Sequence, residues 1–198
     1  MEDLFKANLK ASQIYWLEGS LKARADGSDR RIYTLQDLDD YAHKSLVPIL
    51  WCINEVISSE LNVEKEHLLD HLGKAQVMLR RLKGLSKTLG TGNPLAEQFV
   101  PISLLGKFGL NGPKMIESLK TGENVQLTDV VHEMASHANS HLSMIRTSSD
   151  TFMKLSKYSC ERYLKALEKN NFSILNTKVQ RIGGQRDGLL PIKLFFYK

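Results

Sequence analysis

The sequence predicts an all-α protein, on three observations. Apolar residues recur at steps of three, four and seven through several long segments, the spacing of a single helix face. No segment alternates apolar and polar residues with the period of two that a half-buried strand needs. The breaks between periodic segments fall at Gly, Pro, Asn and Asp, with capping residues where the pattern restarts. At 198 residues the chain suits one domain with a well-buried core, and 1–198 is read as a single helical domain.

Residues 2–24 read as the first helix, with Leu4, Ile14, Leu17 and Leu21 apolar and Trp16 nearby, closed by the polar run ADGSDRR. Thr34 has the character of an N-cap, and Asp37 three residues on completes a near capping box. The helix that follows carries Leu35, Leu38, Tyr41, Ala42, Leu46, Ile49, Leu50, Ile53 and Ile57, and Pro48 should kink or split it. Asn62 is placed to cap the next segment, which organises the rest.

From Leu61 to Leu89 an apolar stripe runs through Leu61, Leu68, Leu72, Ala75, Leu79, Leu82 and Leu89. A second stripe at the same spacing is polar: Gly73, Gln76, Arg80, Lys83 and Lys87. Gly in a helix interior costs roughly 1 kcal/mol against Ala, so Gly73 implies close approach of a neighbouring helix or a ligand. This is the helix expected at the centre of a bundle.

Gly90–Pro94 (GTGNP) reads as a helix C-cap and turn rather than a phosphate cradle, because no strand precedes it and no GK[ST] follows. FVPISLLGKFGL predicts a short helix with Pro101 at its start, and NGPKMIESLKTG a second one bounded by glycines. A long helix is expected from about Leu127 to Phe152 and another from about Leu155 to Asn170. The tail VQRIGGQRDGLLPIKLFFYK reads as a loop and a last apolar segment.

Composition narrows function only coarsely. Hydrophobic residues at 42% and charged ones at 25% exclude a disordered tail, and no window reaches the ~18 uninterrupted apolar residues of a membrane span. A net charge of +5 fits an anionic membrane surface, a diphosphate, nucleic acid or simple solubility. Cys52 and Cys160 lack metal or disulfide spacing and read as reduced, buried thiols of an intracellular compartment. The acidic start MEDLFKANLK is neither a secretory signal nor a transit peptide.

Three groups could carry chemistry. HEMASHANSH places His132 and His137 five apart, which splays them by ~140° on a helix, unlike the two ligands of HExxH. His137 and His141 have the correct spacing of four, but no third ligand is obvious, so they read as polar-face or pocket-lining residues and no metal is expected. Asp37, Asp39 and Asp40 are explained by the positive end of a helix. Gln76, Arg80, Lys83 and Lys87 could grip an anion or a lipid phosphate, although a solvated helix back explains them first. Nucleic acid is disfavoured because no aromatic platform is interleaved.

The order of these pieces resembles the squalene/phytoene synthase family. Its signature helix opens with Gly-x-Ala, matched by Gly73 and Ala75; Phe99-Val100-Pro101 matches the loop exit and Gly109-Leu110 the close. Thr34, Leu38 and Tyr41 fit the upstream helix entry. Ala135, Ala138, His141, Leu142 and Arg146 fit the long helix, and LLPIKLFF fits the closing segment. The resemblance implies an isoprenoid synthase-like helical bundle, of which this chain would be the C-terminal portion, without the first helices. An uncovered apolar side on the central helix, and hence marginal stability or association, is then expected.

In active members of the family the second aspartate-rich motif holds Mg²⁺ on a prenyl diphosphate. Here the first of those aspartates is replaced by Gly84, the next acidic pair by Lys87 and Thr88, and Asn-Ile-Leu-Arg by Arg80-Arg81-Leu82-Lys83. The same loss marks the branch that serves assembly of mitochondrial respiratory complex I (NADH dehydrogenase), to which the chain is similar. That likeness implies a pseudoenzyme with no catalytic residues and no cofactor, at the matrix face of the mitochondrial inner membrane. Its implied partners are complex I subunits or other assembly factors, with peripheral contact to the anionic membrane and no nucleic acid. The alternative is a Mg²⁺-dependent prenyl-diphosphate transferase of the squalene/phytoene synthase type.

Overall fold

The computed structural model describes residues 10–27, 31–58, 61–121, 125–145 and 151–184, and among them it is helical with no strand. The helices are α1 (Ala11–Gly27), α2 (Leu35–Ser45), α3 (Val47–Ser58), α4 (Val63–Gly90), a 3₁₀ segment (Pro94–Phe99), α5 (Ile102–Phe108), α6 (Gly112–Thr121), α7 (Val125–Met144), α8 (Thr151–Lys169) and α9 (Thr177–Gly184). The predicted all-α class is what the chain adopts.

Local signals set most of the boundaries. Thr34 and Asp37 form a complete capping box, the Thr34 hydroxyl accepting from the Asp37 backbone and the Asp37 carboxylate from the Thr34 backbone. Pro48 splits the predicted helix: α2 ends at Ser45, Leu46 is the joint, and α3 restarts at Val47 with the proline in its first turn. The Asn62 side chain accepts from Lys65 N at 2.9 Å and opens α4. Gly109, at φ 64°, closes α5 in a conformation that glycine adopts without strain.

α4 is the centre of the bundle. It packs on α2, α3, the 3₁₀ segment, α7, α8 and α9, and most extensively on α7. Leu69, Leu72, Ala75, Met78, Leu82, Leu85 and Leu89 have no exposed surface, and each large side chain contributes about 1.5–3 kcal/mol by leaving water. Gly73 shows why it is glycine: a Cβ there would lie 2.6 Å from Val47 Cγ2 and 3.4 Å from Leu50 Cδ1. The close neighbour is therefore helix α3.

Several expectations need correction. The apolar side of α4 is closed rather than uncovered, and burial wraps most of the way round the helix, taking in Val77, Leu85 and Ser86 as well. Leu61 precedes the helix and, like Leu68, is only half-buried; Leu69 takes the inward position. The first helix extends beyond residue 24 to Gly27, and its Leu21 is 65% exposed. It docks on α2 and α3 partly through buried Gln13 and Ser20. The long helix stops at Met144, and Phe152 belongs to the next helix, which starts at Thr151. The predicted tail loop contains α9, whose Val179 is buried. Leu4, Arg146 and the LLPIKLFF segment lie outside the described residues.

Candidate functional site: an arginine-lined cavity

A cavity of about 750 Å³ opens between α2, α4 and the 3₁₀ segment with the start of α5, within the size range of small-ligand pockets. Its walls are apolar at Ile32, Val77, Phe99 and Val100 and strongly cationic elsewhere, with Arg24, Arg31, Arg80 and Arg81 facing one carboxylate, Glu97.

The backbone that builds this wall is held by identifiable bonds. Pro101 gives α5 no side-chain cap, so the N–H groups of Ile102 and Ser103 donate instead to the carbonyls of Ile32 and Tyr33, at 3.0 and 2.8 Å. That pairing fixes Arg31 and Ile32 at the cavity. Arg81 donates to Gln98 O at 2.8 Å and ties α4 to the 3₁₀ segment. Burial pulls the Arg81 pKa down from its ordinary value, with Tyr41 opposing, yet a guanidinium remains charged. Arg24 donates to Ser45 O at 3.1 Å, and the same carbonyl accepts from the Ser20 hydroxyl.

Glu97 is already committed. One oxygen accepts from Gly112 N at 2.7 Å at the start of α6, and the other lies 3.6 Å from Arg31 Nη2. Gly84, where the resemblance places the family's first metal-holding aspartate, faces the Phe99 ring: an added Cβ would lie 2.4, 2.7 and 3.1 Å from three ring carbons. The ring occupies the volume a side chain would need. Mg²⁺ demands hard oxygen ligands in near-octahedral array. The described lining residues offer it arginines, an aromatic edge and one engaged carboxylate, and do not fit it.

Of the four residues singled out as anion-gripping, Arg80 lines the cavity, while Gln76, Lys83 and Lys87 are not in its wall. Lys83 turns toward α8, with its ammonium 4.8 Å from the centre of the Tyr163 ring. Burial lowers its pKa there, with Cys160 opposing and Arg80 adding to the fall. Lys87 is exposed. Arg24 and Arg31 could not be found from the α4 pattern because they come from α1 and from the segment before α2.

The histidines divide as their spacing predicts. His132 points to Phe172, edge to face at 4.6 Å. His137 and His141 share a face of α7 and meet Asp39 of α2, whose Oδ2 accepts from His137 Nε2 at 2.9 Å and from His141 Nε2 at 3.1 Å. Asp39 is therefore more than a helix-start charge. Asp37 does fit that reading, since it belongs to the cap, while Asp40 lies beyond the first turn and accepts from Gln36 at 3.1 Å. Burial pushes the Asp39 carboxyl up, and the hydrogen bonds from His141 and His137 more than reverse this, holding it below its ordinary value.

An all-helical bundle around a central helix, with a cavity against that helix, is consistent with an isoprenoid synthase-like fold. The chain belongs to the squalene/phytoene synthase family, whose sequence profile matches residues 10–183. Among curated proteins it is 25% identical over 187 residues to the Mus musculus NADH dehydrogenase (ubiquinone) complex I, assembly factor 6, covering 91% of this chain and 53% of the relative. The Homo sapiens protein of that name is 24% identical over the same length and coverage. A Dictyostelium discoideum homolog is 25% identical over 196 residues, covering 94% of this chain and 51% of the relative. The chain thus spans about half the length of these relatives. No solved structure is significantly similar to it.

Proposed function

We propose that this chain is a non-catalytic member of the squalene/phytoene synthase family that acts in assembly of mitochondrial respiratory complex I. The observation that carries the non-catalytic reading is the wall of α4. Ionisation of an allylic diphosphate relies on metal to neutralise the developing charge, and where the family carries the carboxylates that would hold it this chain has Gly84, under the Phe99 ring, and Lys87 and Thr88, with Arg80 and Arg81 one turn before them. The assembly role is supported by the names of the relatives.

In this reading the cavity binds without turnover. Arg80, with Arg24, Arg31 and Arg81, holds a phosphate-bearing ligand such as an anionic lipid headgroup, since guanidinium forks match phosphate oxygens in pairs. The site of action is the matrix face of the inner membrane, reached peripherally: no described helix is long and apolar enough to cross a membrane. The partners are complex I subunits or other assembly factors.

The test is genetic and biochemical together. Deleting the gene for this chain in its own organism should lower assembled complex I on blue-native gels, and the wild-type gene should restore it. Unchanged complex I after deletion contradicts the proposal.

A further inference from the structure

The cluster between α2, α4 and α7 has properties that the arginine cavity does not explain, and none of its members lines that cavity. His137 and His141 project from one face of α7 at i and i+4, and Asp39 reaches them from α2. One ligand atom from each of the three lies within 4.8 Å of the others. Asp39 is 4% exposed, and its second carboxylate oxygen, Oδ1, is buried with no hydrogen-bond partner. A buried carboxylate oxygen without a partner is rare in folded proteins and marks a missing donor or ion.

A further histidine completes the arrangement. His71 of α4 places its Nδ1 3.0 Å from Nδ1 of His141. Without metal, a carboxylate only accepts, so both Nε2 atoms facing Asp39 carry protons, and His71 Nδ1–H donates to His141 Nδ1. With metal, His141 turns its Nε2 lone pair to the ion and moves its proton to Nδ1, which donates to His71. The His71 proton would pass to its own Nε2, and the His137 proton from Nε2 to Nδ1, so each imidazole stays neutral. This is the outer-shell support that metal-binding imidazoles regularly have.

We propose that Asp39, His137 and His141 form a binding site for a divalent transition-metal ion of the Zn²⁺ or Fe²⁺ class, with His71 as the positioning residue for His141. Two imidazoles and one carboxylate select such an ion over Mg²⁺ or Ca²⁺, which prefer oxygen. Donors in a tetrahedral zinc site stand ~3.4 Å apart, so the present 2.9 and 3.1 Å contacts need to open by only a few tenths of an ångström. The Asp39 side chain is 6% exposed and that of His141 13%, whereas His137 at 28% leaves a path for entry and an open position on the ion. The expectation of no metal, drawn from the missing third ligand on α7, is revised because the third ligand comes from another helix.

The experiment uses the full chain, stripped with chelator and titrated with CoCl₂ and with ZnCl₂. Wild-type protein should bind one equivalent of each, with visible Co²⁺ absorption bands and a Zn²⁺-dependent rise in Tm. Asp39→Asn, His137→Ala and His141→Ala should each weaken binding at least tenfold, and His71→Ala should weaken it less while keeping the stoichiometry. His132→Ala, on the same helix but turned to Phe172, should leave binding unchanged. No binding by wild-type protein overturns the proposal, as does equal binding by the three ligand variants. Should a variant not fold, X-ray absorption on the zinc-loaded wild type decides: two imidazoles in the first shell support the site, and their absence overturns it.

Discussion

Replacing Gly84 by Ala puts a methyl carbon 2.4 and 2.7 Å from two carbons of the Phe99 ring and 3.1 Å from a third. Ordinary contact begins near 3.4 Å, so the ring must retreat by about 1 Å, an overpacking that costs about 1–3 kcal/mol. Against this, alanine in a helix interior is better than glycine by about 1 kcal/mol. The net expectation is a loss of about 0–2 kcal/mol. In a Phe99→Ala background the obstruction is gone, and the same substitution should stabilise by about 1 kcal/mol. The coupling between the two positions is thus about 1–3 kcal/mol. Urea denaturation followed by far-UV circular dichroism, on the four proteins of the cycle, measures it. If Gly84→Ala stabilises equally in both backgrounds, Phe99 does not occupy the space over Gly84 and the reasoning about the cavity wall is refuted.

Thr34→Ala removes the hydroxyl that caps α2 and should lower stability by about 1 kcal/mol; an unchanged thermal midpoint would show that the capping box does not matter. Burial pushes the Cys160 thiol up to about 12, with Lys83 and Arg80 opposing. At pH 8 its thiolate fraction is therefore about a thousandfold below that of an unperturbed cysteine. Iodoacetamide should leave Cys160 unmodified in folded protein and label it after denaturation, and labelling at equal rates would count against its buried setting. Burial pushes the Asp70 carboxyl up, but hydrogen bonds from Lys74 and His43 outweigh it and hold the carboxyl below 3.8. A depressed folded-state pKa contributes stability that is present above 3.8 and lost as pH falls through the lower native value. Asp70→Asn should flatten the acid limb of the stability curve, and an identical limb in both proteins would exclude this role.

The elements that were legible in the sequence are those fixed locally. Thr34 with Asp37, Asn62 and Pro48 act within one turn of where they stand, so spacing alone located two helix starts and one break. Gly73 was legible as a close approach, though not as an approach by Val47. The polar stripe of α4 misled because that helix is buried on several sides. Residues on one nominal face then meet different neighbours, Arg80 a cavity and Lys83 the Tyr163 ring. The paired glycines of α9 read as a loop although the helix runs through them, closed in part by buried Val179. Asp39 could not be matched to His137 from sequence at all, since they stand 98 residues apart and only the packing of α2 near α7 joins them.

The measurement that bears most directly on the cavity is incubation of purified protein with radiolabelled farnesyl diphosphate and Mg²⁺. Diphosphate release no faster than in protein-free buffer, with ligand retained equally in the presence of EDTA and lost on Arg80→Ala, is the expected result. Mg²⁺-dependent release of diphosphate over many turnovers would contradict it and make this chain an enzyme.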